Sequence, residues 1–150
     1  RTSSDTEVLL AAFERWGVAR TLGRVAGMFA FALWDTVDHR LPLARDRAGK
    51  KPLYIARRGD HLFAAAEMKA LIAVGFGEGV DRESLHHYLS LGYVPAPRTI
   101  YEDIQEVPAG AIMSIDTGLV TRTEAFWTLP APREQEVTFD EAVARFEASS

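Results

Sequence analysis

"GMFAFALWD", residues 27–35, places Phe29, Phe31 and Leu33 on one face of an extended chain and Met28, Ala30, Ala32 and Trp34 on the other, so both faces are apolar. A strand of that kind needs cover on both sides, which predicts a sheet held inside stacked layers. "TVDH" (36–39) reads as the turn that follows. Leu41–Ala44 reads as the returning strand, with Pro42, which has no N–H to donate, predicting an edge position or a bulge. Leu53–Ala56 and His61–Ala65 bracket "RRGD" (57–60), a hairpin turn with Gly59 where positive φ is needed. "AIMSID" (111–116) and "LVTRTEAFW" (119–127) form another hairpin around Thr117 and Gly118.

Helical signals surround these strands. "SDTE" (4–7) fits the S-x-x-E capping box, followed by Leu9, Phe13 and Trp16 on one face and a stop at Gly17. A short helical turn is expected around Leu22–Val25, and a short helix in "EMKALIAV" (67–74). Asp81 can cap "RESLHHYLSLG" (82–92), and Thr138–Glu141 is a second capping box opening a final helix. "YVPAPRTIYEDIQEVPAG" (93–110) is read as irregular, with Pro95 and Pro97 holding an extended path. Strands enclosed by helices make this an α+β chain.

The 150 residues, 47% hydrophobic and 25% charged, suffice for one domain, or for one domain and the start of another. A net charge of -4, with no basic cluster longer than Lys50-Lys51 or Arg57-Arg58, argues against a nucleic-acid surface. No apolar run approaches the roughly 18 residues that a membrane span requires. "RTSSDTEV" has no signal-peptide core, so a cytoplasmic protein is expected. The absence of cysteine removes disulfides, thiolate metal sites and a cysteine nucleophile from these residues. The chain starts at Arg1, and "TFDEAVARFEASS" (138–150) stops soon after a helix begins, so a fragment of a longer protein is expected.

Charged residues concentrate in "LARDRAGKKPLY" (43–54). Arg45 and Asp46 form either a solvated pair at a strand end or the frame of a loop beside a cleft. In the second arrangement Asp46 accepts backbone N–H bonds from "RAGK" and Arg45 reaches a carboxylate. Arg45, Arg47, Lys50 and Lys51 would hold Asp46 ionised rather than ready to move a proton, so the motif is read as architecture. Gly49 permits a left-handed turn, and Pro52 sets the start of the next strand. His86 and His87 are helix neighbours pointing about 100° apart, so they cannot face one metal together. "GFGEG" (75–79) follows a helix and lacks a following Lys-Ser, so it is read as a connection.

The ordered set "SDTEV", "GMFAFALWD", "LARDRAGKKPLY", "EMKAL" and "GYVPAPRTIYEDIQEVPAG" resembles the amidotransferase half of the glutamine-dependent asparagine synthetases over nearly the whole chain. The R-D-x-x-G-x-x-P-L core also occurs in glutamine phosphoribosylpyrophosphate amidotransferases. The G-M-F-A-F, E-M-K-A-L and Y-V-P-A-P-x-T-I segments favour the first family. The resemblance implies a partial N-terminal-nucleophile hydrolase fold, with antiparallel sheets stacked between helix layers. In that family an N-terminal cysteine attacks the glutamine amide, forms a thioester and releases ammonia. The ammonia travels to a second domain, where ATP and Mg²⁺ activate aspartate.

By the same resemblance, Asp5 faces the α-ammonium of glutamine and Met28 lines the ammonia route, whereas Glu67 and Lys69 fix their helix near a domain interface. The family's cysteine, its oxyanion-hole asparagine and glycine, and the arginine that holds the substrate carboxylate would lie upstream of Arg1. Its phosphate loop would lie beyond Ser150. No catalytic residue and no metal ligand is therefore assigned within the chain, and the fragment alone is expected to be inactive. The implied division is 1–129 for the glutaminase portion, 130–137 for a linker and 138–150 for the start of the synthetase domain. Implied small-molecule partners are glutamine, aspartate and ATP. Family members are often dimers, and the sequence does not decide that point here. Two alternatives stay open: a related amidotransferase with another acid acceptor, and a non-catalytic interaction module.

Overall fold

In the computed structural model, which describes residues 4–131 and 137–148, the first helix begins at the cap that the sequence predicts. Ser4 is extended, and its Oγ accepts from the Thr6 N–H at 3.3 Å, opening α1 (Asp5–Trp16). Gly17 ends α1 with φ +76°, its N–H donating to Phe13 O at 2.8 Å. The helical turn expected at Leu22–Val25 lies earlier, as α2 (Val18–Leu22); residues 23–25 are the turn that leaves it. The shift has a tertiary cause. Thr21 is buried, and its hydroxyl lies 3.0 Å from Ala12 O and 2.8 Å from Gly17 O, which ties the two helices together.

Two antiparallel sheets stack next to these helices. The first has four strands: β1 (Ala30–Ala32), β2 (Leu41–Arg45), β6 (Ala111–Ile115) and β7 (Thr121–Ala125), in the order β1-β2-β6-β7. The second has three: β3 (Tyr54–Arg58), β4 (His61–Ala65) and β5 (Ile104–Glu106), in the order β4-β3-β5. Because side chains alternate, each sheet feeds two cores. Leu22, Ala44 and Ile112 meet Phe13, Val18, Phe29 and Phe31 between α1–α2 and the first sheet. Leu43, Met113 and Ile115 meet Leu53, Ile55 and Val107 between the sheets. Ala56, Leu71, Phe76 and Ile104 close the outer face of the second sheet, where α3 (Met68–Ala73) packs. Full burial of one such large apolar side chain contributes about 1.5–3 kcal/mol. The expected α+β arrangement, antiparallel sheets between helix layers, is the one observed.

The opening stretch is covered on two sides at its centre and not at its ends. Phe29 and Phe31 pack on the helix side and Ala30 on the inter-sheet side, but Met28 is 65% and Trp34 51% exposed, and the strand is only three residues long. Pro42 corrects the expectation of an edge or bulge, since β2 is an interior strand between β1 and β6. Pro42 O accepts from Leu33 N–H at 3.0 Å, so the backbone polar groups of residue 42 face the β1 side. The missing donor falls just past the end of β1 and costs the β6 ladder nothing. β3 runs on to Arg58, so its turn narrows to Gly59 and Asp60.

The segment read as irregular contains β5, paired antiparallel with β3. Pro95 and Pro97 do not hold an extended path: the chain turns there, with a cis Ala96–Pro97 bond and Arg98 N–H donating to Pro95 O at 3.2 Å. Asp81 caps α4 (Arg82–Leu91) by accepting from the Glu83 and Ser84 amides at 3.0 and 3.4 Å. Arg98 pairs with both Asp81 and Glu83, at 2.7 and 2.6 Å. Thr138 and Glu141 exchange capping bonds of 2.9 and 3.4 Å at the start of α5 (Phe139–Ala148), none of whose residues is buried. Most of the expected linker, 132–136, lies outside the described residues.

Candidate active site

Four separate stretches build one open cleft of ≈ 970 Å³. The first turns of α1 supply Asp5, Thr6, Val8 and Leu9; the approach to β1 supplies Val25 to Ala30; Lys51 and Pro52 come from the loop after β2, and Ala66 and Glu67 from the approach to α3. Asp5 and Met28, singled out separately in the sequence, therefore line the same space. Both are exposed, and Asp5 stands at a helix N-terminus, where a negative charge is favoured. Lys51 and Glu67 were not singled out as cleft residues. The only sequence signal for Lys51 is its place before Pro52 at the end of the charged loop. Glu67 forms an ion pair with the exposed Lys69.

The charged motif forms the wall behind this space. Arg45 is 6% exposed and Asp46 2%, which rules out a solvated pair. Asp46 accepts four backbone N–H bonds. Oδ1 takes those of Ala48 and Lys50 at 3.1 and 2.9 Å; Oδ2 takes those of Lys51 and Phe29 at 3.0 and 3.3 Å. Asp46 N–H donates back to Phe29 O at 2.8 Å. Arg45 spreads its fork over Lys51 O, Gly49 O and Val107 O at 2.8, 2.8 and 2.7 Å, and pairs with the Glu106 carboxylate at 2.9 Å. Gly49 turns the loop with φ +62°. A Cβ at that position would lie 3.0 Å from Arg45 Nη2 and 3.1 Å from Ala109 Cβ. Pro52 then leads from the cleft into the buried Leu53.

Burial alone would raise the Asp46 carboxyl pKa, but the Lys50, Lys51, Phe29 and Ala48 amides together outweigh it and hold it below the ordinary value of 3.8. A depressed folded-state pKa stabilises the fold fully above the unfolded value, and that contribution is lost as pH falls through the lower folded value. The stability gap between wild type and Asp46→Asn should therefore be constant from neutral pH down to about 5 and shrink below about 4. Urea unfolding of both proteins along a pH series checks this. A gap that widens on acidification would contradict the sign.

The remaining charged features do not join the cleft. His86 and His87 sit on α4 with ring centroids 6.3 Å apart. In the glycine-rich connection, the Gly77 N–H donates to both oxygens of the Asp103 carboxylate at 3.0 Å, so that amide already has its anion. No described helix is long and apolar enough to cross a membrane.

Residues 1–127 match the family model described as a glutamine amidotransferase domain. The chain is 36% identical over 150 residues to a putative glutamine-hydrolysing asparagine synthetase of Mycobacterium bovis, spanning 97% of this chain and 23% of that protein. It is 38% identical over 114 residues to asparagine synthetase 1 of Bacillus subtilis, spanning 76% of this chain and 18% of that one. It thus covers less than a quarter of the length of either relative. Among solved structures, the glutamine phosphoribosylpyrophosphate amidotransferase of B. subtilis, complexed with ADP and GMP, superposes with a TM-score of 0.57 at 24% identity, over 86% of this chain and 24% of that one. That likeness shows the fold, a partial N-terminal-nucleophile arrangement. With the family match spanning most of its length, this chain belongs to the glutamine amidotransferase domain family.

Proposed function

We propose that this chain is part of a glutamine-hydrolysing asparagine synthetase of the cytoplasm, and that the cleft between α1 and the Lys51–Pro52 loop is its share of the glutamine site. The observation that carries the reading is the meeting of Asp5 and Met28 in one cleft, in a chain with curated relatives from Mycobacterium bovis and Bacillus subtilis that are named asparagine synthetases. On this reading Asp5 pairs with the substrate α-ammonium. Met28 borders the path by which ammonia leaves, where the hydrocarbon side chains of the neighbouring Val25, Ala26 and Phe29 offer no hydrogen bond to hold it.

The chain has no cysteine, and on this reading the nucleophile is a cysteine supplied by sequence outside these 150 residues. Its sulfur adds to the amide carbon of glutamine, ammonia leaves with the transferred proton, and water cleaves the resulting thioester to glutamate. On this reading ATP and Mg²⁺ are held outside these residues. The one glycine-rich loop spends its Gly77 amide on Asp103, and no group of three His, Asp or Glu among the described residues is placed to hold a metal. Activation of aspartate is assigned to the domain that 138–150 would begin, with 1–129 as the glutaminase portion.

The test is an assay of the full-length protein for ammonia release from glutamine, with and without aspartate and ATP. Ammonia in the first case, and asparagine, AMP and pyrophosphate in the second, are the expected products. Residues 1–150 alone should release none. Ammonia without asparagine would point to another acid acceptor, and no ammonia at all to a non-catalytic module.

A further inference from the structure

The Asp46 carboxylate joins two segments that are distant in sequence and that both border the cleft. Oδ2 is shared between the Phe29 N–H, from the stretch that carries Met28, and the Lys51 N–H, from the loop that carries Pro52. The Asp46 backbone N–H returns a bond to Phe29 O, and Arg45 Nε holds Lys51 O, so both backbone polar groups of Phe29 and of Lys51 are fixed by the same buried pair. Neither side chain of that pair borders the cleft. We propose that Asp46 is a positioning residue for the glutamine site, a clamp that sets the spacing between the Met28–Phe29 wall and the Lys51–Pro52 wall without touching substrate. The proposal rests on the glutaminase reading above and deepens it.

An asparagine at position 46 offers one acceptor oxygen where the carboxylate offers two. It can satisfy the loop amides or the wall amides, and its NH₂ then faces the N–H groups of the other pair. If the wall relaxes, the substrate loses binding that is equal in ground and transition states, which appears in KM rather than kcat.

The experiment uses the full-length enzyme carrying Asp46→Asn, with Asp46→Ser as a second variant and Met113→Ala, in the inter-sheet core, as a destabilised control. Amide hydrogen exchange is followed at Phe29 and Lys51, together with steady-state glutamine hydrolysis well below the melting temperature. The expected result for Asp46→Asn is faster exchange at Phe29 and Lys51 with Leu43 and Ile112 still protected. KM should rise by about tenfold or more and kcat change by less than about threefold, while Met113→Ala keeps wild-type KM. An unchanged KM, an equal KM rise in Met113→Ala, or the failure of both Asp46 variants to fold would assign Asp46 to stability alone and overturn the clamp. A wild-type enzyme that releases no ammonia would remove the glutaminase reading itself, and the positioning role with it, whatever the exchange shows.

Discussion

Asp5→Asn in the full-length enzyme is expected to lower kcat/KM for glutamine by about thirtyfold or more, corresponding to ~2 kcal/mol, with the melting temperature almost unchanged. On the proposed reading, the large term is the loss of a charge partner for an ammonium group. An amide keeps the shape and one acceptor but not the charge. The small term is structural. Asp5 is exposed in the first turn of α1, and the cap itself is Ser4, whose Oγ bond to Thr6 the substitution leaves alone. A first-turn carboxylate gains about 0.3–1 kcal/mol from the helix dipole, too little to unfold a domain with three apolar cores. Steady-state kinetics paired with thermal melting separates the two terms. A fall in activity matched by an equal loss of stability would return Asp5 to helix chemistry, and an unchanged KM would remove it from the site.

The features the sequence disclosed are those written within a few residues. Ser4, Asp81 and Thr138 each cap a helix through amides two or three positions away, and each could be recognised from its own tetrapeptide. The β3–β4 and β6–β7 hairpins carry their turns at Gly59–Asp60 and Thr117–Gly118, again as local signals. What stayed hidden depends on partners brought in by the fold. β5 is three residues long, "IQE", with no alternation to read, and exists because β3 offers it an edge. Pro42 looked like an edge residue because sequence does not reveal which neighbouring strand its backbone faces.

The same distinction applies to the candidate site. Asp5 and Met28 were legible one at a time through resemblance, but their common cleft was not, since α1 and the β1 stretch are brought together by tertiary packing in the first core, where the Phe13 and Phe31 rings lie 5.1 Å apart. Asp46 was read correctly as an acceptor for its own loop, where the Ala48, Lys50 and Lys51 amides are two to five residues away. Its bond to Phe29, 17 residues back, has no sequence signature, and neither does the contact of Arg45 with Val107 O, 62 residues on. The two charges were read as loop architecture, but the long-range partners that bury them could not be seen.

Arg45→Ala is expected to destabilise the domain by about 3–5 kcal/mol, a large share of the usual total of 5–15 kcal/mol and enough to unfold much of it at the low end of that range. The attraction between Arg45 and Glu106 is not the main reason, since a buried ion pair recovers only part of its desolvation cost. The loss comes from what is left behind: a half-buried Glu106 carboxylate without its cation, and the carbonyls of Lys51, Gly49 and Val107 without their donor. Arg45→Lys should recover only a minority of the loss, because a single ammonium cannot span acceptors spread around a planar fork. Arg45→Met, which refills the volume but donates nothing, should be about as poor as Arg45→Ala if unmet acceptors dominate. Lys69→Ala, which breaks the exposed pair with Glu67, should leave the urea midpoint where it was, as expected for a pair screened by water. Urea unfolding of the four variants, with the m-value checked for constancy, orders them. Full recovery by lysine would mean that charge alone holds this junction, whereas recovery by methionine would mean that packing does, and either result would displace the hydrogen-bonded fork as the element that fixes the loop behind the cleft.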